Sequence, residues 1–121
     1  MVLDAAHSFP KTARLRKRLE FLLLPRTGKK IHTTNFIVVK KKTERTESRL
    51  GVTVSSRVGN AVVRNRIKRL VREYFRCNRN QISLPTDCLV IARPGAKELT
   101  FKLVGEELHR ALIHDRSGRR R

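Results

Sequence analysis

The chain has 121 residues, of which 29 are Lys or Arg and 10 are Asp or Glu, giving a net charge of +19 at pH 7. That length fits one domain around a single core, and an apolar fraction of 39% supports a folded core rather than a disordered basic tail. No apolar run reaches the roughly 18 residues of a membrane span, and residues 21–24 are too short and too late a stretch for a signal peptide. Residues 1–10 read as a loose N-terminal arm, 11–114 as the domain and 115–121 (DRSGRRR) as a basic disordered tail. From Lys11 the spacing predicts a helix, with Leu15, Leu19, Leu22 and Leu23 as its inward stripe and Pro25 and Gly28 as its end. Arg26, Lys29 and Lys30 then form a basic connection. Residues 35–39 (NFIVV) read as a strand, 40–48 (KKKTERTES) as a charged loop, and 50–56 as a second, alternating strand. Gly59 and Asn60 break the pattern and offer an N-cap for a long helix over 61–78. A loop with Pro85 leads to a buried strand over 87–93, which Pro94 and Gly95 stop. A last helix over 97–113 turns Leu99, Leu103, Leu108 and Leu112 inward. The order predicts an α+β fold, a small α/β sandwich with three helices on a short mixed sheet.

Two cysteines, Cys77 and Cys88, are too few for a disulfide framework and read as reduced thiols of a cytosolic protein. His7, His32, His109 and His114 do not complete finger-like zinc spacing with them. No metal site is expected in the protein.

The central helix carries the most information. At about 100° per residue, Val63, Ile67, Leu70, Val71, Tyr74 and Cys77 fall in one sector. Arg64, Asn65, Lys68, Arg69, Arg72 and Arg76 fall opposite, with Arg66 at the edge of the apolar stripe and Glu73 the lone acid. A charged face is ordinarily just solvated, but then the signs are mixed. Here Arg64/Lys68, Lys68/Arg72 and Arg72/Arg76 are successive like-charge pairs, each costing an isolated helix a few tenths of a kcal/mol. Phosphates along that face would reverse the sign of the cost. The pattern points to a polyanion, and specifically to nucleic acid.

The strand-like element before the central helix argues against a helix-turn-helix. Arginine forks suit phosphates and exposed bases. Aromatic content of 5% is too low for a stacking platform. Charge spread over two helices and both termini suits a large structured RNA.

Three segments carry a family resemblance: RLGVTVS at 49–55, VGNAVVRNRIKRLVRE at 58–73 and DCLVIARP at 87–94. Together they resemble the protein subunit of bacterial ribonuclease P, over about residues 14–113, and the Arg-Asn-Arg segment is the most specific part. The resemblance implies a ribosomal-protein-like sandwich with a left-handed βαβ crossover, an exception to the usual hand. It implies a cofactor role. The protein would bind a catalytic RNA and the 5′ leader of precursor tRNA, and the leader would be removed by a metal-dependent site in the RNA. It further implies Mg²⁺ used by the holoenzyme, one protein per RNA, a cytoplasmic location, no membrane partner and no catalytic residue in this chain. Arg64, Asn65, Arg66, Lys68, Arg69 and Arg72 match the RNA-facing motif, with Arg57 and Arg76 beside it. Arg14, Lys17, Phe21 and Phe36 would line the leader cleft between first helix and sheet.

Two positions depart from the family pattern. The paired lysines common after the second strand are Ser56 and Arg57 here, and positions often aromatic are Pro25 and Val39. Two other functions compete with this reading. A self-sufficient metal nuclease would need clustered carboxylates, and a histidine nuclease two imidazoles on one face; His109 and His114 are five residues apart. A ribosomal or RNA-annealing protein fits the charge equally well and is separated only by the Arg-Asn-Arg motif and its surroundings.

Overall fold

In the computed structural model, residues 14–15, 18–82 and 85–113 are described. The elements run α1 (Arg18–Thr27), β1 (Lys29–His32), β2 (Phe36–Lys42), β3 (Arg49–Thr53), α2 (Ala61–Asn78), β4 (Thr86–Ala92) and α3 (Phe101–Leu112), with short 3₁₀ turns at Arg79–Gln81 and Pro94–Glu98. The strands lie in the order β1-β2-β4-β3. The β1/β2 and β2/β4 pairs are antiparallel, and β3/β4 is parallel. Helix α2 is therefore the crossover between adjacent parallel strands, and the sheet is mixed, as expected of an α+β fold.

Side chains alternate across the sheet, which sorts the strand residues into two faces. Phe36 and Val38 of β2, Leu50 of β3, and Cys88, Val90 and Ala92 of β4 share one face with Ile67, Val71, Tyr74 and Phe75 of α2 and Val104, Leu108, Ala111 and Leu112 of α3. Burial there pushes the Cys88 thiol and the Tyr74 phenol each up to about 12. On the other face Val39 and Leu89 pack with Leu15 and Leu24, joined by the half-buried Phe21, Ile37 and Ile91. Among the described residues two helices cover the first face and one short helix the second.

Polar contacts tie the layers. Arg49 Nε and Nη2 donate to the two oxygens of Asp87 at 3.0 and 2.9 Å, and Nη1 reaches Glu20 on α1 at 2.7 Å. Hydrogen bonding to Asp87 raises the Arg49 pKa above its ordinary value, against desolvation, and Glu20 adds to it. Beneath α3, buried Glu107 accepts from Thr33 Oγ1 at 2.6 Å and from the Asn35 backbone and amide at 2.8 and 2.6 Å.

Several sequence expectations need correction. Helix α1 begins at Arg18, and Leu15 is off the helix, its N–H donating to the Leu50 carbonyl at 2.9 Å; residues 11–13, 16 and 17 lie outside the described residues. Leu19, Leu22 and Leu23 are not inward but 66%, 51% and 51% exposed. The run FLLL allows more than one helical register, and the observed one sends Phe21 and Leu24 to the sheet. Pro25 lies inside α1 rather than ending it. Of the basic connection, Arg26 lies in the last turn of α1, and Lys29 and Lys30 belong to β1, held by pairing with β2. Strand β2 continues through Lys40–Lys42 because those residues pair with Thr86–Cys88. Helix α3 starts late, at Phe101, with Thr100 as its N-cap. Leu103 is consequently exposed, and Leu99 is buried ahead of the helix. Residues 1–10 and 115–121, read as arm and tail, lie outside the described residues.

Candidate nucleic-acid interface

Helix α2 opens where Asn60 Oδ1 accepts from the Val63 N–H at 3.0 Å, replacing a partner the first turn lacks. Its apolar stripe is buried on the sheet, so its opposite face must meet solvent or a ligand. The basic residues on it then divide into two groups.

Three are engaged within the protein. Arg64 Nη1 donates to the Gly59 carbonyl at 3.0 Å. Arg66 Nη2 donates to the Leu99 carbonyl at 2.5 Å, which ties α2 to the segment before α3. Arg76 pairs with Glu73, a hydrogen bond that lowers the Glu73 pKa and raises that of Arg76. Asn65, Arg69 and Arg72 are exposed, Lys68 is partly so, and none of the four has a polar partner among the described residues. Arg57 is also exposed, in the turn before α2. From Asn65 to Arg72 the axis advances about 10 Å. The result is a ridge of unneutralised donors on a helix fixed by its own core.

A second feature lies on the α1 face of the sheet. The register places Lys30, Val39, Leu89 and Gly51 in one row, and His32, Ile37, Ile91 and Thr53 in the next. Phe21 and Leu24 cover the first row. A Cβ on Gly51 would lie 2.5 Å from Phe21 Cε1, so the missing side chain is what lets the ring settle on β3. Among the described residues nothing covers the second row: His32 and Thr53 are exposed, and Ile37 and Ile91 half-buried. This is a shallow groove with an apolar floor and Phe21 on its α1 side. Exposed Arg14 is held beside β3 by its bridge to Leu50.

The expected cleft residues fare unequally. Phe21 is half-exposed beside the groove, and Arg14 is exposed on the same edge. Lys17 lies outside the described residues. Phe36 does not belong: it is fully buried on the opposite face, against α2 and α3. Strand alternation decides this, since Phe36 and Val38 share one face and Ile37 and Val39 the other. The floor residues Ile37 and Ile91 went unrecognised because both strands are apolar on both faces. The signal was the imbalance of helices, with one short helix left for one entire face.

Among the described residues no group of three His, Cys, Asp or Glu side chains could hold a metal ion. Four of the acids are engaged elsewhere: Glu20 and Asp87 with Arg49, Glu73 with Arg76, and Glu107 with Thr33 and Asn35. No helix among the described residues is long and apolar enough to cross a membrane.

Comparison with known proteins bears on both features. The sequence model of the family described as Ribonuclease P matches residues 9–114. The ribonuclease P protein component of Desulforapulum autotrophicum is 50% identical over 103 residues, covering 85% of this chain and 88% of that protein. That of Geotalea uraniireducens is 42% identical, covering 87% and 92%. Among solved structures, the ribonuclease P protein of Thermotoga maritima superposes with a TM-score of 0.76 at 37% identity, covering 84% of this chain and 96% of that one. The Staphylococcus aureus protein gives 0.78 at 33% identity, covering 88% and 97%. With its α+β fold, its cationic central helix and these relatives, the chain belongs to the ribonuclease P protein component family, part of an RNA-binding, tRNA-processing endoribonuclease.

Proposed function

We propose that this chain binds the catalytic RNA of ribonuclease P through the α2 ridge and the 5′ leader of precursor tRNA through the groove beside α1. The observation that carries the reading is the set Asn65, Lys68, Arg69 and Arg72, which has no polar partner among the described residues. Each phosphate neutralised there releases counterions, which favours binding at low salt. Arg57 extends the ridge at its N-terminal end. Arg64, Arg66 and Arg76 flank it, and each would have to exchange or share a protein partner to reach RNA. In the groove, Phe21 offers a ring edge to a single-stranded base, and Ile37 and Ile91 an apolar floor.

Hydrolysis belongs to the RNA in this proposal, with Mg²⁺ used there. Among the described residues the acids do not gather a donor set that fits the ion. The protein acts by holding RNA and leader together, one copy per RNA, in the cytoplasm.

The test is cleavage of a leader-bearing precursor tRNA at low Mg²⁺ by the protein alone, a bacterial ribonuclease P RNA alone, and both together. Cleavage in the combined tube only is expected. Cleavage by repurified, RNase-treated protein would overturn the cofactor role. Absence of rescue despite tight RNA binding would favour a ribosomal or annealing role. For the groove, Phe21→Ala should cost about 1–3 kcal/mol of affinity for the leader-bearing substrate. An equal loss on mature tRNA would remove the leader from the groove.

A further inference from the structure

Helices α2 and α3 enclose an open groove of about 560 Å³, lined by Tyr74, Lys102, Gly105, Glu106, His109 and Arg110. It lies between the helices, apart from the exposed basic ridge of α2, and on the other side of the sheet from α1. Its floor is the backbone of Gly105 and the edge of the Tyr74 ring. The Tyr74 hydroxyl lies 3.4 Å from His109 Nδ1, which fixes the phenol at the back of the groove. On the rim, Lys102, Glu106 and Arg110 follow one another at intervals of four on α3 and are all exposed.

Gly105 is the informative residue. It sits inside a helix of 12 residues, where glycine is the poorest choice after proline. Packing does not require it. A Cβ there would meet Tyr74 Cδ1 at 3.6 Å, an ordinary contact. What glycine preserves is open space over the Tyr74 ring edge. That volume falls in the range of small-ligand clefts. The occupant must be flat enough to lie on the Gly105 backbone and carry negative charge for Lys102 and Arg110. It must also offer a hydrogen-bond donor to Glu106, as an exocyclic amino group of a base does.

We propose that this groove holds one unstacked, amino-bearing nucleobase of a bound RNA, with Lys102 and Arg110 flanking its phosphates. The site rests on the RNA partner proposed above and adds a second contact, carried mainly by α3 rather than by the α2 ridge.

The test is a titration of the ¹⁵N-labelled full chain with adenosine 5′-monophosphate, uridine 5′-monophosphate and inorganic phosphate at physiological salt. Adenosine monophosphate should shift the amides of Tyr74, Gly105 and His109, uridine monophosphate less so. Inorganic phosphate should move the ridge around Arg69 and Arg72 and, more weakly, the rim at Lys102 and Arg110, leaving the Gly105 amide unshifted. Gly105→Leu, which fills the groove, should weaken adenosine monophosphate binding at those amides about tenfold. Gly105→Ala guards against misfolding: it should raise Tm by a few degrees while weakening binding about threefold. Groove amides silent to adenosine monophosphate, or unchanged affinity in both variants, would overturn the site. Equal binding of the two nucleotides would overturn the role of Glu106. The same proteins are assayed for rescue of precursor cleavage. A silent groove in a protein that rescues overturns this site alone, whereas wild-type protein that fails to rescue overturns the holoenzyme reading and leaves the titration to decide the groove.

Discussion

Arg66 and Arg72 belong to the same helix and the same motif but have different surroundings. Arg66 donates to the Leu99 carbonyl, while Arg72 is exposed with no polar partner among the described residues. Arg72→Ala should therefore weaken RNA binding and lower the salt slope by about one unit. Arg66→Ala should instead lower Tm, because the partly buried Leu99 carbonyl loses its donor. Filter binding across a salt series, with a thermal melt of each variant, checks both; identical slopes in wild type and Arg72→Ala would count against a phosphate contact. Cys88 gives a second prediction. Its thiol, ordinarily near 9, is raised to about 12 by burial. An acid raised in this way favours the fold fully below the unfolded pKa, and that contribution is lost as pH climbs from 9 towards 12. Urea melts should show stability falling above pH 9, by up to about 1.4 kcal/mol per pH unit for one such group. Buried Tyr74, raised from 10 to about 12, adds to the decline above pH 10, so Cys88→Ala should flatten it between pH 9 and 10, and an unchanged slope there would place the cause elsewhere.

Helix α1 shows what can be read from sequence at the level of elements. Helix α2 was legible to the residue, because an apolar stripe, an N-cap and a same-sign face all agree over 61–78. Helix α1 was not, because five apolar side chains in six positions, Leu19 and 21–24, suit several registers. The register is set by β3, which presents no side chain at Gly51. Tertiary fit, not periodicity, decides it. The same holds for β1, whose sequence KKIH has no strand signature and is a strand only because β2 pairs with it. The α2 ridge was thus visible in advance, whereas the groove floor emerges only once strand faces and helix coverage are known. Two substitutions test the α1 docking. Gly51→Ala drives a methyl into the Phe21 ring and should cost about 1–3 kcal/mol. Leu22→Gln, at a half-exposed position, should stay within about 0.5 kcal/mol. A urea melt that ranked them the other way would refute the observed register.

Across the whole molecule, a charge of +19 on 14.0 kDa works against the compact state through self-repulsion. Local pairs relieve little of it: Arg49 with Glu20 and Asp87, Arg76 with Glu73, and Arg79 with Glu47 leave the α2 ridge uncompensated. The free protein should accordingly become more stable with added salt, while its RNA affinity falls. Thermal melts and binding isotherms over the same salt range should move in opposite directions, and parallel trends would mean that repulsion is not what limits the free fold.

The position of β4 has a consequence for biosynthesis. The last strand of the sheet to be made stands between two earlier ones, pairing with β2 on one side and β3 on the other. Until Ala92 has emerged from the ribosome, β2 and β3 have no common partner and α2 has no completed surface on which to rest. The basic helix is thus synthesised before it can be held in shape, and vectorial folding of the N-terminal half is closed to this topology. Non-local pairing of this kind delays folding until the distant segment arrives. A fragment spanning residues 14–82 should give the dispersion-poor spectrum of an unfolded chain, and adding residues 83–113 should restore a folded one. A folded fragment would show that β4 completes a structure already formed.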